Sequence, residues 1–167
     1  MNPRQPFTKA EVDAAIAGWG CNCGPAALAF AAQTNLDTAH RAIPGFDKKQ
    51  YTNPTMMQTA LDTLGVPFDK IGPLTADNMV FDGLSLVRIQ FTGPWDGKPR
   101  WASTHTHWIA TWKADDGMPA AFDINGGCRP FRNWHDNILP LLVKSKKLRD
   151  GGWRPVNIWR MGGGNCG

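Results

Sequence analysis

The hydrophobic pattern of this chain changes its period at Gly65, and this change constrains the fold more than any other feature. Between residues 8 and 64, apolar side chains recur at the three- and four-residue spacing of helices. Beyond residue 65, short alternating and β-branched segments follow, as expected of strands. Helices that come first and strands that follow predict an α+β fold, because a parallel sheet with crossover helices would need the two patterns to alternate.

Local end signals place the individual elements. Thr8 and Glu11 have the spacing of a capping box, and Pro25 and Pro54 suit the first turn of two later helices. The predicted helices span residues 8–17, 25–33, 36–43, 54–64 and 133–147, the last one interrupted at Pro140. The predicted strands span residues 66–71, 84–91, 107–112, 120–124 and 153–161, and a turn over 114–118 joins the third and fourth into a hairpin.

The size and composition of the chain predict one domain. A length of 167 residues with 42% hydrophobic residues fits a single domain over residues 1–167. The 18 glycines and 13 prolines exceed ordinary usage but do not reach the level of a low-complexity chain. The glycine-rich segment from about residue 162 predicts a flexible tail.

The N-terminus and the apolar runs of the chain bear on where the protein acts, and its net charge bears on its partners. The N-terminus has no apolar core of a secretory signal, and no apolar run approaches the ~18 residues of a membrane span. We therefore expect a soluble, cytoplasmic protein with no membrane partner. The net charge of +4 is mild, so it selects no class of partner by itself.

One of the four cysteines stands at a position that favours chemistry. Cys23 comes directly before the helix that Pro25 opens, where unpaired backbone amides and the positive end of the helix dipole stabilise a thiolate. Such a thiolate is the nucleophile of covalent catalysis. Cys21 lies further out in the preceding loop, and it remains an alternative nucleophile.

A base and a group that orients it can be placed on the predicted hairpin. His107 begins one strand and Asp123 ends the next, so antiparallel pairing brings the two side chains close together. His105 points to the same face of an extended strand and is the alternative base. Asn125 is the alternative orienting residue.

Three segments, in this order, resemble the signature blocks of papain-like cysteine peptidases, and most closely those of the C39-like group. They are Cys23-Gly-Pro-Ala-Ala-Leu28, His107-Trp-Ile-Ala and Phe122-Asp123, and the resemblance covers roughly residues 15–125. It implies a papain-like fold, in which N-terminal helices carry the nucleophile at a helix start and pack on an antiparallel sheet. It also implies a catalytic triad of Cys23, His107 and Asp123 that needs no cofactor.

The sequence departs from that family at the oxyanion hole. Papain-like enzymes usually carry a glutamine about six positions before the nucleophile, to stabilise the oxyanion, and this chain has Ala17 there. Asn22 is the candidate donor in its place, together with the backbone amide of Cys23.

Aromatic residues and an arginine indicate a substrate rim, and a metal site is the competing interpretation of the cysteines. Trp19 flanks the nucleophile, and the loop before the histidine carries Trp95, Trp101 and Arg100. Cys21, Cys23, Cys128 and a histidine could together hold zinc, but a Cys-x-Cys spacing is tighter than a zinc knuckle. We therefore expect no metal.

The expected function is a cysteine-dependent amide hydrolase, a peptidase or isopeptidase, that acts on a peptide or protein through a thioester. The same triad also serves transglutaminases and deamidases, and the sequence does not separate these reactions. The alternative of another class is a catalytically weak papain-like fold that binds a protein or, as the less favoured partner, a nucleic acid.

Overall fold

A six-stranded antiparallel sheet with helices on both faces forms the fold, in the order β1-β6-β2-β3-β4-β5. The computed structural model describes residues 3–79, 83–93, 105–145 and 152–162. The strands are β1 (Phe68–Lys70), β2 (Leu84–Phe91), β3 (Thr106–Lys113), β4 (Pro119–Asp123), β5 (Gly127–Pro130) and β6 (Trp153–Met161). This combination of helices and an antiparallel sheet agrees with the predicted α+β class.

In the described part of the chain five helices precede the first strand, an order that agrees with the change of period at Gly65. They are α1 (Lys9–Trp19), α2 (Cys23–Ala31), α3 (Leu36–Ala42), α4 (Phe46–Lys49) and α5 (Pro54–Thr63). The predicted capping box is formed, since the Thr8 side chain accepts from the Glu11 amide and Glu11 accepts from the Thr8 amide. Side chains of asparagine cap three further helices, namely α2, α3 and α5.

The two faces of the sheet carry separate apolar clusters. Leu86, Trp108 and Phe122 pack against α1 to α5, and the alternate residues Val87 and Ile109 pack on the opposite side. The opposite face is covered by α6 (Phe131–Asn133), a π-helical turn (Trp134–Ile138) and α7 (Leu139–Ser145). Because both faces are covered, β3 is buried over six consecutive residues instead of alternating between core and solvent.

Several predicted boundaries are wrong for identifiable reasons. Helix α2 begins at Cys23 and not at Pro25, because Asn22 caps it two residues earlier. The four-residue helix α4 and the edge strand β5 are too short to show a period, and the sequence missed both. The irregularity of the C-terminal helix is the π turn ahead of Pro140, a residue that cannot donate the backbone hydrogen bond of a regular helix.

Two further predictions concern membrane-spanning helices and the C-terminal tail. No helix among the described residues is long and apolar enough to cross a membrane. The predicted flexible tail falls on residues 163–167, outside the described residues.

Candidate active site

Helix α2 fixes the position of Cys23. The helix is buried at every residue from Gly24 to Ala31, packed between the sheet and the other N-terminal helices, whereas Cys23 at its first position is partly exposed. The Asn22 side chain accepts from the Gly24 amide at 3.1 Å. The Cys23 amide has no acceptor among the described residues. The thiol therefore lies at the positive end of a nine-residue helix, beside a free backbone donor.

Gly24 allows α2 to approach the chain at Thr52. A β-carbon added at Gly24 would overlap the Thr52 hydroxyl oxygen and would lie 2.7 Å from its Cγ2 and 2.9 Å from its Cβ. Thr52 is buried, so its side chain has little room to move. The glycine of the cysteine motif is thus required by packing beside the nucleophile.

We expect Gly24→Ala to destabilise the protein by about 1–3 kcal/mol, the usual cost of overpacking a core. Thermal unfolding and the rate of Cys23 alkylation measure the effect. Gly18→Ala is the matched control, because a β-carbon there meets no atom within 4 Å. Thr52→Ala should restore part of the stability lost in Gly24→Ala. Equal melting temperatures for the two glycine variants would contradict this account.

The pairing of β3 explains how its backbone reaches the thiol. The Phe91 amide donates to the His105 carbonyl at 2.9 Å, so odd-numbered residues of β3 turn their amides toward β2 and even-numbered residues turn them toward β4. The β3–β4 ladder extends only as far as Ala110 and Phe122. The Trp108 amide is therefore left without a strand partner, and it donates to the Cys23 sulfur.

His107 and Asp123 form a buried pair beside the thiol. His107 Nε2 lies 2.7 Å from Asp123 Oδ2, and both side chains are almost fully buried. In the register of the hairpin, Asp123 falls diagonally across from His107 on the same face of the sheet. Since Nε2 faces the carboxylate, Nδ1 is the ring nitrogen left for the hydrogen bond with Cys23. The side chains of Cys23, His107 and Asp123 are thus in contact, in this order.

The carboxylate of Asp123 accepts four hydrogen bonds from the described residues. Its Oδ2 accepts from His107 and from the indole Nε1 of Trp134, the latter at 2.8 Å. Its Oδ1 accepts from the backbone amide and the side-chain amide of Asn125, both at 2.9 Å. Asn125 therefore supports Asp123, and Asp123 is the residue that contacts the histidine. Trp134 is a positioning residue that sequence reasoning missed, because only tertiary packing brings the π turn to the end of β4.

We expect Trp134→Phe to slow the alkylation of Cys23 at pH 6 about two- to threefold and to move its pH profile toward higher pH. The ring volume is largely kept, while a hydrogen bond to a buried charge, of the kind that contributes about 1.5–3 kcal/mol, is lost. Trp159→Phe, a buried indole on the other face of the sheet, is the control. An unchanged pH profile with a lowered melting temperature would reduce Trp134 to a packing residue.

The charges of the site favour a thiolate and an imidazolium. Burial raises the pKa of Cys23, but the charge and hydrogen bond of His107 and the Trp108 amide outweigh it, so the pKa lies below its usual value. Burial lowers the pKa of His107, but the charges of Cys23 and Asp123 and their hydrogen bonds raise it to about 10. The pKa of Asp123 is likewise held below its usual value against its burial, mainly by His107.

Cys21 and Cys128 lack the charge environment that lowers the pKa of Cys23. Burial and the charge of Cys23 raise the pKa of Cys21 to about 12, and burial raises that of Cys128 to about 11. Both thiols are therefore protonated near neutral pH, Cys21 in the core and Cys128 at an exposed position. Cys166 lies outside the described residues. Cys23 is thus the only described cysteine with the environment of a nucleophile.

The other predicted site residues have different surroundings. His105 lies just before β3, while the contacts of Cys23 and Asp123 go to His107. Asn22 lines the same cleft as Cys23, but its side-chain amide donates to the Gln50 carbonyl at 3.0 Å. Its main role in the structure is therefore to cap α2, and the unpartnered Cys23 amide is the better-placed oxyanion donor.

Of the four predicted rim residues, only Trp19 can be compared with the described walls of the cleft at Cys23. Trp19 is not among its described lining residues. It ends α1 and stacks on His40, with ring centroids 4.0 Å apart. Trp95, Arg100 and Trp101 lie outside the described residues. The cleft has a volume of about 540 Å³, and its described lining residues are Asn22, Cys23, Gln50, Tyr51, Thr52, Asn53, Arg88, Thr106 and Trp108.

Two findings bear on how the site is classified. Within the part of the chain that the structure describes, no group of three or more histidine, cysteine or acidic side chains converges to hold a metal ion. The sequence matches no protein-family model, and no curated protein matches it significantly. The chemistry that this site can perform therefore follows from its geometry.

Proposed function

We propose that this protein is a cysteine-dependent amide hydrolase of the papain-like, C39-like type, a peptidase or isopeptidase that acts through a thioester. The observation that carries the proposal is the continuous contact from Cys23 at the start of α2 through buried His107 to buried Asp123. A histidine held this way supplies a thiolate and a proton donor at once. An antiparallel sheet that carries the histidine and the aspartate, covered by the helix of the cysteine, supports the papain-like assignment.

In the acylation step, the Cys23 thiolate attacks the carbonyl carbon of the scissile amide. A C–S bond forms and the carbonyl π electrons move to oxygen, where the Cys23 amide and the helix dipole stabilise the negative charge. His107 then gives its proton to the amide nitrogen. The C–N bond breaks, the amine leaves, and a thioester remains on Cys23.

In the deacylation step, neutral His107 takes a proton from water as the oxygen attacks the thioester. The C–S bond breaks, the acid leaves, and the thiolate–imidazolium pair is restored. Asp123 holds Nε2 throughout, so Nδ1 stays aimed at the reaction. The net reaction is amide plus water giving acid plus amine. An amine in the place of water would give the transglutaminase reaction instead.

An activated ester tests the proposal without knowledge of the natural substrate. With p-nitrophenyl acetate, we expect a burst of one p-nitrophenolate per chain, an acetyl group on Cys23 by peptide mass mapping, and slower turnover. Cys23→Ala should remove burst and turnover, whereas Cys21→Ala, which changes a neighbouring buried thiol, should keep both. No acylation of Cys23 would overturn the proposal and favour a binding protein.

A second experiment tests whether water or an amine attacks the thioester. It uses a mixture of protein-derived peptides in water enriched in heavy oxygen. Hydrolysis of peptide bonds places the heavy oxygen in new carboxyl termini. Deamidation places it in the side-chain carboxylates of the glutamates that form from glutamine. Transfer to an added primary amine places the amine there and no heavy oxygen. New labelled carboxyl termini that depend on Cys23 support the peptidase, and either of the other patterns replaces it with the corresponding transferase or deamidase.

A further inference from the structure

Arg88 is a charged residue of the cleft that the proposed mechanism does not use. It lies on β2 opposite Trp108 of β3, and it lines the same cleft as Cys23. Its guanidinium carbon is 5.9 Å from the centroid of the Trp108 ring, so the indole fixes its direction. It is close enough to Cys23 for the two charges to interact. Arg88 therefore places a positive charge beside the nucleophile.

The guanidinium has few protein partners for its hydrogen-bond donors. Nη2 donates to the Thr106 hydroxyl at 3.1 Å, and Nε has no acceptor. The ion pairs found across the described residues include no carboxylate on Arg88. Apart from the thiolate of Cys23, this partly buried cation has no anionic partner among the described residues, and a bound carboxylate would offset the cost of its burial.

The rest of the cleft also favours an anion. None of its described lining residues is acidic, and the first turn of α2 and the protonated His107 add positive potential at the same end. The planar guanidinium matches the two oxygens of a carboxylate. Carboxylates are, moreover, the anions that peptides carry.

We propose that Arg88 binds a carboxylate of the substrate next to the scissile amide, so that the enzyme prefers substrates with an acidic group at this position. The inference rests on the proposed function and adds the substrate class to it. The carboxylate comes either from an acidic side chain or from a free α-carboxyl group. Both sources present the same chemistry to Arg88.

The first experiment compares two alkylating reagents of nearly equal size at Cys23, neutral iodoacetamide and anionic iodoacetate. We expect Arg88→Gln to lower the iodoacetate-to-iodoacetamide rate ratio about five- to tenfold at low salt, and added salt to narrow the difference. The ratio cancels any change in the thiolate fraction. Arg132→Gln, which removes the same charge from an exposed site, should leave the ratio unchanged.

The second experiment uses the unmodified protein, and so does not depend on the folding of a variant. N-acetylglutamine carries an α-carboxylate, its isomer N-acetylisoglutamine carries a side-chain carboxylate, and the diamide carries neither. We expect one isomer to protect Cys23 from iodoacetamide at millimolar concentration and the diamide to fail. The protecting isomer identifies the source of the carboxylate.

A failure of the proposal for Arg88 can be distinguished from a failure of the proposed function. An unchanged reagent ratio in Arg88→Gln, or equal protection by the diamide and both isomers, would overturn the role of Arg88 while leaving a reactive Cys23. Slow iodoacetamide alkylation of Cys23 in the unmodified protein, no faster than that of a free thiol, would instead count against the proposed function, and the reagent ratio would still report on Arg88.

Discussion

A His107→Ala variant loses at least about tenfold in the rate at which iodoacetamide alkylates Cys23 at pH 6, and its ester turnover falls by about 10²–10⁴. Without the imidazolium, burial keeps the thiol protonated, and an ordinary thiol is less than about 1% thiolate at this pH. A more basic thiolate is also the stronger nucleophile, which offsets part of the loss in alkylation. Ester turnover has no such offset, because the base that activates water for deacylation is gone.

The pH profile of the unmodified protein separates the two roles of His107. Because the pKa of Cys23 is lowered, alkylation should already be fast below the range of ordinary thiols, and it should fall only as pH drops through that lowered value. Because the pKa of His107 is raised to about 10, hydrolysis of an amide should fall above that pH as the proton donor for the leaving amine is lost, while alkylation persists. His135→Ala, an exposed histidine, is the control. Profiles identical to those of a free thiol would contradict the ion pair.

An Asp123→Ala variant should lose about 3–5 kcal/mol of folding free energy at pH 7, the cost of breaking a buried charge pair. His107 and Trp134 would be left without their acceptor in a buried site, whereas the two donors of the exposed Asn125 would turn to water. For a chain of this size the melting temperature falls by roughly 10 °C. Cys23 alkylation should slow as well, because the imidazole loses both its orientation and the charge that keeps it protonated.

The pH dependence of this loss has a definite sign. The folded-state pKa of Asp123 is lowered, so its stabilisation is present above the unfolded value of about 4 and is lost as pH falls through the folded value. The difference in melting temperature between the unmodified protein and Asp123→Ala should therefore be large at pH 7 and smaller near pH 3. Asp136→Ala, at an exposed carboxylate, should change stability by less than about 0.5 kcal/mol. Similar losses from both variants would refute the buried network.

The fold class could be predicted because its signals are local. The change of period at Gly65, the capping box at Thr8 and the hairpin turn depend on residues close in sequence, and each corresponds to an element in the structure. Helix α4 and strand β5 have four residues each, too few to show a period. The π turn could not be predicted, because it depends on how the helix accommodates Pro140 against the sheet.

The residues of the site also divide into those that local sequence predicts and those that it does not. Cys23, His107 and Asp123 could be placed together because a helix start and a hairpin register follow from local pattern. Arg88 could not, since a charged residue in an alternating strand resembles any solvent-facing position. Trp19 shows the opposite error, because the predicted first helix ends at residue 17 and so leaves Trp19 beside the nucleophile. It remains in the last turn of α1, stacked on His40.

The burial of helix α2 has a consequence for how the reactivity of Cys23 survives heating. Its amides from Gly24 onward lie in the most enclosed layer of the fold, so their hydrogen exchange should require global unfolding and not local fraying. The nucleophile is attached to the first turn of that layer, and its base is on the strand beneath it. The geometry of the site therefore persists until the core unfolds. The reactivity of Cys23 and the folded structure should be lost in a single cooperative transition on heating.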